Sequence, residues 1–339
     1  AGMRLVTSPF ATNLFLVWSS VYFQYVSKDD LNALKYPAKL LETNHAFSKH
    51  IRSRMRVKMS KYFIQKMIGF ATLPKSYFSL FTSTFMASVT IMIITGEGLL
   101  DLWVFWLYFF LSTAFLNSFN NLMDIKSDYI TKNNFPLPSG LISPREASLF
   151  SAATLIAAVA TLIPILEVNA SAAGILLIDL LIGYFYSAPK IRLKRYPVLK
   201  ATMLIIHTAI LPLIVGLTLA NKSIADYLAI VFPVYLMGLA VHTLQDIGDV
   251  VGDVLMGDKT FPSMLGMKNS VLLTVLLFML AAIFTWLVFD ASYRILIMFL
   301  FFSQIVLSML LFIRVNLWKI VYWSTALIAF LIMVLLLVK

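Results

Sequence analysis

Nine stretches of this chain stay apolar for about 20 residues each, the length a helix needs to cross a bilayer. They fall at about 77–95, 99–122, 147–166, 171–187, 201–220, 225–245, 270–289, 293–313 and 317–338. Several hold an internal Pro or Gly (Pro212, Gly216, Pro233, Gly238), which packed membrane helices tolerate. The pattern predicts an all-α integral membrane protein with nine transmembrane helices in one bundle. Composition agrees: 60% of the 339 residues are hydrophobic and only 13% are charged, against about 25% charged in soluble domains.

The N-terminal region reads differently. Run 9–26 is short and holds Asn13, Ser19, Ser20 and Gln24, so it is an interfacial helix or one extra span. It lacks a basic n-region and a small-residue cleavage site, and so does not read as a cleavable signal peptide. Residues 27–62 are polar and basic, with Arg52, Arg54, Arg56, Lys58 and Lys61, and suit a surface of anionic headgroups. Residues 63–74 form an amphipathic lead-in. The expected division is therefore 1–62 as an extension and 63–339 as the transmembrane domain.

The net charge of +11 need not signal nucleic acid, because its distribution follows membrane topology. Lys126, Lys132 and Arg145 follow the second run, and Lys190, Arg192, Lys194, Arg195 and Lys200 follow the fourth. Lys259 and Lys268 follow the sixth; Arg314 and Lys319 follow the eighth. The intervening loops hold only Lys222 and Arg294. The long polar loops are therefore expected in the cytoplasm, and any chemistry with them. There is no cysteine, which excludes disulfides, thiolate metal sites and cysteine nucleophiles.

Two of these cytoplasmic loops begin with acids. In NSFNNLMDIKSDYI (117–130), Asn120, Asp124 and Asp128 are spaced i, i+4, i+8 and share one helix face. In HTLQDIGDVVGDVLMGDKTFPSMLG (242–266), Asp246, Asp249 and Asp253 are spaced i, i+3, i+7 and do the same. Like charges so placed repel, and an acid at membrane depth costs up to about 3 kcal/mol. Either column alone reads as a solvated helix end; two together call for a cation. All-oxygen ligands suit Mg²⁺, which takes one or two carboxylates plus substrate phosphates. Two facing columns are expected to hold Mg²⁺ ions that bridge a diphosphate.

Between the columns lies YFYSAPKIRLKRYPVLK (184–200). Its bases double as membrane anchors, but Lys190, Arg192 and Lys194 also fit a clamp on phosphate oxygens.

These residues resemble the UbiA superfamily of intramembrane prenyltransferases. Its first motif, approximately Asn-Asp-x-x-Asp-x-x-x-Asp, is similar to NNLMDIKSD, with Asn121 in place of the first acid. The tail NNFPLPSGLIS (133–143) is similar to the family's Asn-Arg-Pro-Leu-Pro-Ser-Gly, with Phe135 where Arg is usual. YSAPKIRLKR is similar to the family's basic link. Asp246, Asp249 and Asp253 match the second motif, and GDKTFP (257–262) matches its tail, with Val254 at a frequent Arg. The Arg expected before the first helix is replaced by LPK at 73–75. The resemblance covers about 75–339.

It implies helices around a central cavity capped by cytoplasmic loop helices, and Mg²⁺-dependent transfer of an isoprenoid from a prenyl diphosphate to a lipid or aromatic acceptor. Asp124 and Asp128 would hold one Mg²⁺, with Asn120 positioning the diphosphate or the metal. Asp246 and Asp249, with Asp253, would hold a second. Lys190, Arg192 and Lys194 would hold phosphate oxygens, and Tyr186 would hydrogen-bond the diphosphate or shield a carbocation with its ring. Among acceptors the PLPSG stretch is compatible with members of the digeranylgeranylglyceryl phosphate synthase, quinone-precursor and chlorophyll-synthase types, and the reading leans to the first. Asp179, inside the fourth helix and on the face of Tyr186, is either an acceptor-positioning acid or a partner in an interhelical hydrogen bond. The alternative from another class is a secondary transporter using the helix-end acids as coupling sites.

Overall fold

The computed structural model describes residues 63–74, 77–98, 100–131, 135–289 and 294–337. Run 9–26 and the basic segment 27–62 lie outside them. The elements below belong to the compact unit Gln65–Lys339 and the residues that lead into it.

Among the described residues every regular element is helical. In chain order they are α1 Tyr77–Thr95, α2 Trp103–Met123, α3 Ile125–Thr131, α4 Pro144–Val168, α5 Ala170–Ser187 and α6 Pro197–Leu219. There follow α7 Leu228–Ile247, α8 Val250–Met256, α9 Phe261–Leu265, α10 Met267–Val288, α11 Arg294–Ile313 and α12 Trp318–Leu337. Residues 63–72 form a helical lead-in.

Seven helices are long and apolar enough to cross a bilayer, namely α4 to α7 and α10 to α12, the last counted with its lead-in turn from Val315. Of the other two expected spans, α1 runs Tyr77–Thr95 and is apolar over Thr82–Thr95 among the described residues. The helix α2 has span length, but Ser112, Thr113, Asn117, Ser118, Asn120 and Asn121 crowd its second half.

The ends are set by local chemistry. In α4 the Ser143 hydroxyl accepts from the Glu146 N–H, while Glu146 accepts from the Ser143 N–H at 2.8 Å and Pro144 sits in the first turn. Glu146 also pairs with Lys66 at 2.8 Å, tying the lead-in to α4. Asn169 caps α5 by accepting from the Ala172 N–H at 2.9 Å. Within α6 a π-helical turn, Ile206–Ile210, precedes Pro212. Proline cannot donate to the ladder and its ring crowds the carbonyl one turn back, so the helix widens there.

Two apolar clusters form the core. One joins α1, α2, α4, α5 and α6 around Phe105, Phe109 and Leu176. The other joins α6, α7, α10, α11 and α12 around Met237, Phe278 and Phe301. Helices α1 and α6 belong to both: Ile91 and Leu211 face one cluster, Ile94 and Leu213 the other. The outer faces stay apolar too, with Ile156, Leu287 and Phe299 fully presented. Such faces have no reason to meet water, and lipid is their solvent. Hydroxyls inside the bundle bond back to the preceding turn, as Thr84 does to Leu80 O and Thr325 to Val321 O, both at 2.8 Å.

One expectation changes. Neither acidic column lies on an unbroken helix. The helix α2 stops at Met123, Asp124 is its C-cap, and α3 begins at Ile125. The helix α7 stops at Ile247, and Asp249 is the N-cap of α8. At the second joint Gly248 is required sterically, because ring atoms of Trp318 lie 2.2 Å from where its Cβ would be. The short helices α3 and α8 pack against one another.

Candidate active site

Each column thus has the same plan. The first polar residue sits in the last turn of a long helix (Asn120, Asp246), the second at a joint (Asp124, Asp249), and the third on a short helix (Asp128, Asp253). All six line one cleft, together with Tyr186 and Lys194. The buried members, Asn120, Asp128, Asp246 and Lys194, are each less than a tenth exposed.

The link after α5 brings the bases in. Ser187 donates to Asn120 Oδ1 at 3.0 Å. Lys194 donates to the same oxygen at 2.6 Å, pairs with Asp124 Oδ2, and lies 5.9 Å from the Tyr186 ring centroid. Arg192 has a left-handed backbone, φ 42°, which costs a non-glycine residue about 1–2 kcal/mol. Its side chain holds it there. Nε and one terminal nitrogen fork onto Asp258 at 3.0 and 2.7 Å, and that nitrogen also reaches Asp124 Oδ1 at 3.0 Å. Burial alone would lower the Arg192 pKa, but Asp258 and Asp124 outweigh it and hold the guanidinium above its ordinary value.

Lys200, in the first turn of α6, serves the second column. Its Nζ lies 2.7 Å from Asp246 Oδ1 and 3.5 Å from Asp253 Oδ2. Asp253 Oδ2 is buried and accepts no hydrogen bond. Burial pushes the Asp253 carboxyl above its ordinary pKa, and Lys200 only partly offsets that.

Of the residues expected from sequence, Asn120, Asp124, Asp128, Tyr186, Lys194, Asp246, Asp249 and Asp253 come together in the cleft. Arg192 stands at its wall, turned onto Asp258 and Asp124. Lys190 is exposed and does not line it. Sequence reasoning missed Lys200 and Asp258. Lys200 looked like one more anchor at a helix entry, and Asp258 like part of a turn motif. Asn121, which replaces an acid of the motif, instead donates to Leu73 O at 2.6 Å and fastens the lead-in to α2. Asp179 is 1% exposed and lies outside the cleft. It accepts from Tyr108 at 3.0 Å and meets His207 Nδ1 at 2.9 Å, inside the π-turn.

Six acids (Asp124, Asp128, Asp246, Asp249, Asp253, Asp258) face three buried or half-buried bases (Arg192, Lys194, Lys200). The excess is negative, all donors are oxygen, and one carboxylate oxygen lacks a hydrogen bond. That donor chemistry fits a hard divalent cation. Among the described residues no three acids or histidines stand close enough to enclose a metal unaided. The bases stand between them.

An apolar helical bundle with a charged cleft at its helix ends defines an integral membrane protein whose polar work is done there. The description "UbiA prenyltransferase family" matches residues 80–336. A digeranylgeranylglyceryl phosphate synthase of Methanothrix thermoacetophila is 32% identical over 207 residues, 60% of this chain and 74% of that enzyme. A 2-acylphloroglucinol 4-prenyltransferase of Humulus lupulus is 30% identical over 204 residues, 57% of this chain and 48% of that enzyme. The structure of a UbiA homologue from Archaeoglobus fulgidus bound to GPP and Mg²⁺ superposes with a TM-score of 0.58. It covers 80% of this chain and 99% of the homologue at 21% identity, a likeness of fold. The chain belongs to the UbiA prenyltransferase family. It is an intramembrane prenyltransferase, and the transporter alternative falls with that assignment.

Proposed function

We propose that the chain transfers an isoprenoid from a prenyl diphosphate to the hydroxyl of a lipid phosphate acceptor, as a digeranylgeranylglyceryl phosphate synthase does. Two Mg²⁺ ions would serve it in a cleft on the cytoplasmic face of a nine-span bundle. The observation that carries the reading is the pair of hinged acid columns with Lys194, Arg192 and Lys200 set among them. Several of the similar sequences are synthases of this type. The homologue's Mg²⁺ and GPP supply the analogy for the ligands.

Asp124 and Asp128 would hold one ion, and Asp246, Asp249 and Asp253 the other. When bound, the ions supply charge neutralisation to the leaving diphosphate. Lys194 and Arg192 would turn from Asp124 to the phosphate oxygens. Lys190, exposed in this arrangement, would close over the mouth. The allylic C1–O bond breaks and its electron pair leaves with the diphosphate. The acceptor oxygen then bonds C1 and gives its proton to the released diphosphate. Tyr186 would hold the diphosphate or face the cationic carbon with its ring. Each buried CH₂ of the prenyl chain contributes about 0.8 kcal/mol to binding.

The test incubates purified chain with geranylgeranyl diphosphate and, separately, geranylgeranylglyceryl phosphate or 4-hydroxybenzoate, with and without Mg²⁺. Mass spectrometry is expected to report the Mg²⁺-dependent ether only with the lipid phosphate, and none from Asp124→Ala. An aromatic product instead would overturn the acceptor. No product and no diphosphate release would overturn the reading.

A further inference from the structure

The clue is where Lys200 comes from. Lys194 and Arg192 belong to the link that already carries the phosphate-clamp pattern. Lys200 lies beyond it, on the first turn of a membrane helix, and still reaches the acids of the other column. Its Nζ bridges the first and third acids of that column, Asp246 at 2.7 Å and Asp253 at 3.5 Å. The side chain is nearly enclosed, at 12% exposure.

An ammonium at those distances and a divalent ion cannot share the gap. Mg²⁺ needs its oxygens at about 2.0–2.1 Å in near-octahedral order. An ion taking Asp246 and Asp253 therefore expels Nζ. A lysine so displaced is a buried charge without a partner, which is strongly unfavourable. The anion at hand is a diphosphate oxygen. Asp253 Oδ2, buried and without a hydrogen bond, marks the side of the pair that Lys200 satisfies least.

We propose that Lys200 is an exchangeable counter-cation. It neutralises Asp246 and Asp253 in the arrangement described, and passes to the diphosphate when a divalent ion takes those acids. Ion and diphosphate then bind cooperatively, each raising the affinity for the other by the same factor. Lys200 is a positioning residue for the second ion and a direct contact of the diphosphate. The inference rests on the divalent-ion reading above.

The experiment uses full-length chain in detergent and titration calorimetry. Wild type, Lys200→Met and Lys200→Arg are titrated with Mg²⁺ without and with a saturating non-hydrolysable prenyl thiodiphosphate, and with the thiodiphosphate at saturating Mg²⁺. In wild type the analogue is expected to tighten Mg²⁺ binding about tenfold or more, within the range of coupled sites. Lys200→Met is expected to bind Mg²⁺ alone several-fold tighter, bind the analogue at least tenfold weaker, and lose the coupling. Lys200→Arg keeps a cation across both acids and is expected to bind Mg²⁺ alone no tighter than wild type. Unchanged or weaker Mg²⁺ binding by Lys200→Met would overturn the exchange while leaving the divalent-ion reading intact. If Lys200→Met does not fold, tighter Mg²⁺ binding by Lys200→Arg overturns it instead. Wild type that binds no Mg²⁺ in either titration overturns both.

Discussion

Arg192 shows how little of a side chain's task its residue type reveals. In sequence it is one base of four within a few residues, and a phosphate clamp is the natural reading. In the fold it forks onto an acid 66 residues away and steadies a left-handed turn. No local pattern encodes that contact, because Asp258 reaches it only through the packing of α8 and the turn at Gly257. Arg192→Ala is expected to lower stability by about 3–5 kcal/mol, the cost of leaving buried acids unpaired. Thermal unfolding in detergent measures it; a loss below about 1 kcal/mol would show that the pair is worth no more than a surface one. The Asp179 pairings were half legible. Its depth and its face were plain from the spacing, and its partners Tyr108 and His207 were not, since the π-turn that aims His207 leaves no mark beyond Pro212.

The long elements were legible to within about four residues at each end, because a bilayer demands one length and one chemistry of each. The expected run 171–187 is α5, Ala170–Ser187, and 293–313 is α11, Arg294–Ile313. The joints were not legible. Spacing of i, i+4, i+8 says one face of one helix, and it holds whether or not the helix bends at the middle acid. The break at Gly248 depends on the Trp318 ring, 70 positions along the chain and on a different span. Gly248→Ala is accordingly expected to cost about 1–3 kcal/mol by overpacking, and to lower turnover at least tenfold by displacing Asp249. Pairing it with Trp318→Leu, which opens the space, should recover most of both. Turnover unchanged in the single variant would show that the joint does not set the site.

At the scale of the molecule, two half-bundles share α1 and α6, and each carries one acid column at an end. The charge asymmetry of the loops is the ground for placing that end in the cytoplasm. The chain has no cysteine, so single introduced ones report cleanly. Ser139→Cys, in the exposed loop before α4, is expected to react with an impermeant maleimide in inverted vesicles but not in intact cells. Asn221→Cys, in the exposed turn after α6, should do the reverse. The opposite pattern would turn the molecule over.

The joints also carry a consequence for the surrounding lipid. Asn120 and Asp246 are fixed to long helices whose tilt answers to bilayer thickness, whereas Asp128 and Asp253 ride on short helices beyond the joints. When acyl chains lengthen or shorten, the long helices adjust their tilt at a cost of fractions of a kcal/mol per Å of mismatch. The short ones need not follow. The spacing within each column is therefore expected to change with membrane thickness, and turnover measured in bilayers of different acyl length checks it.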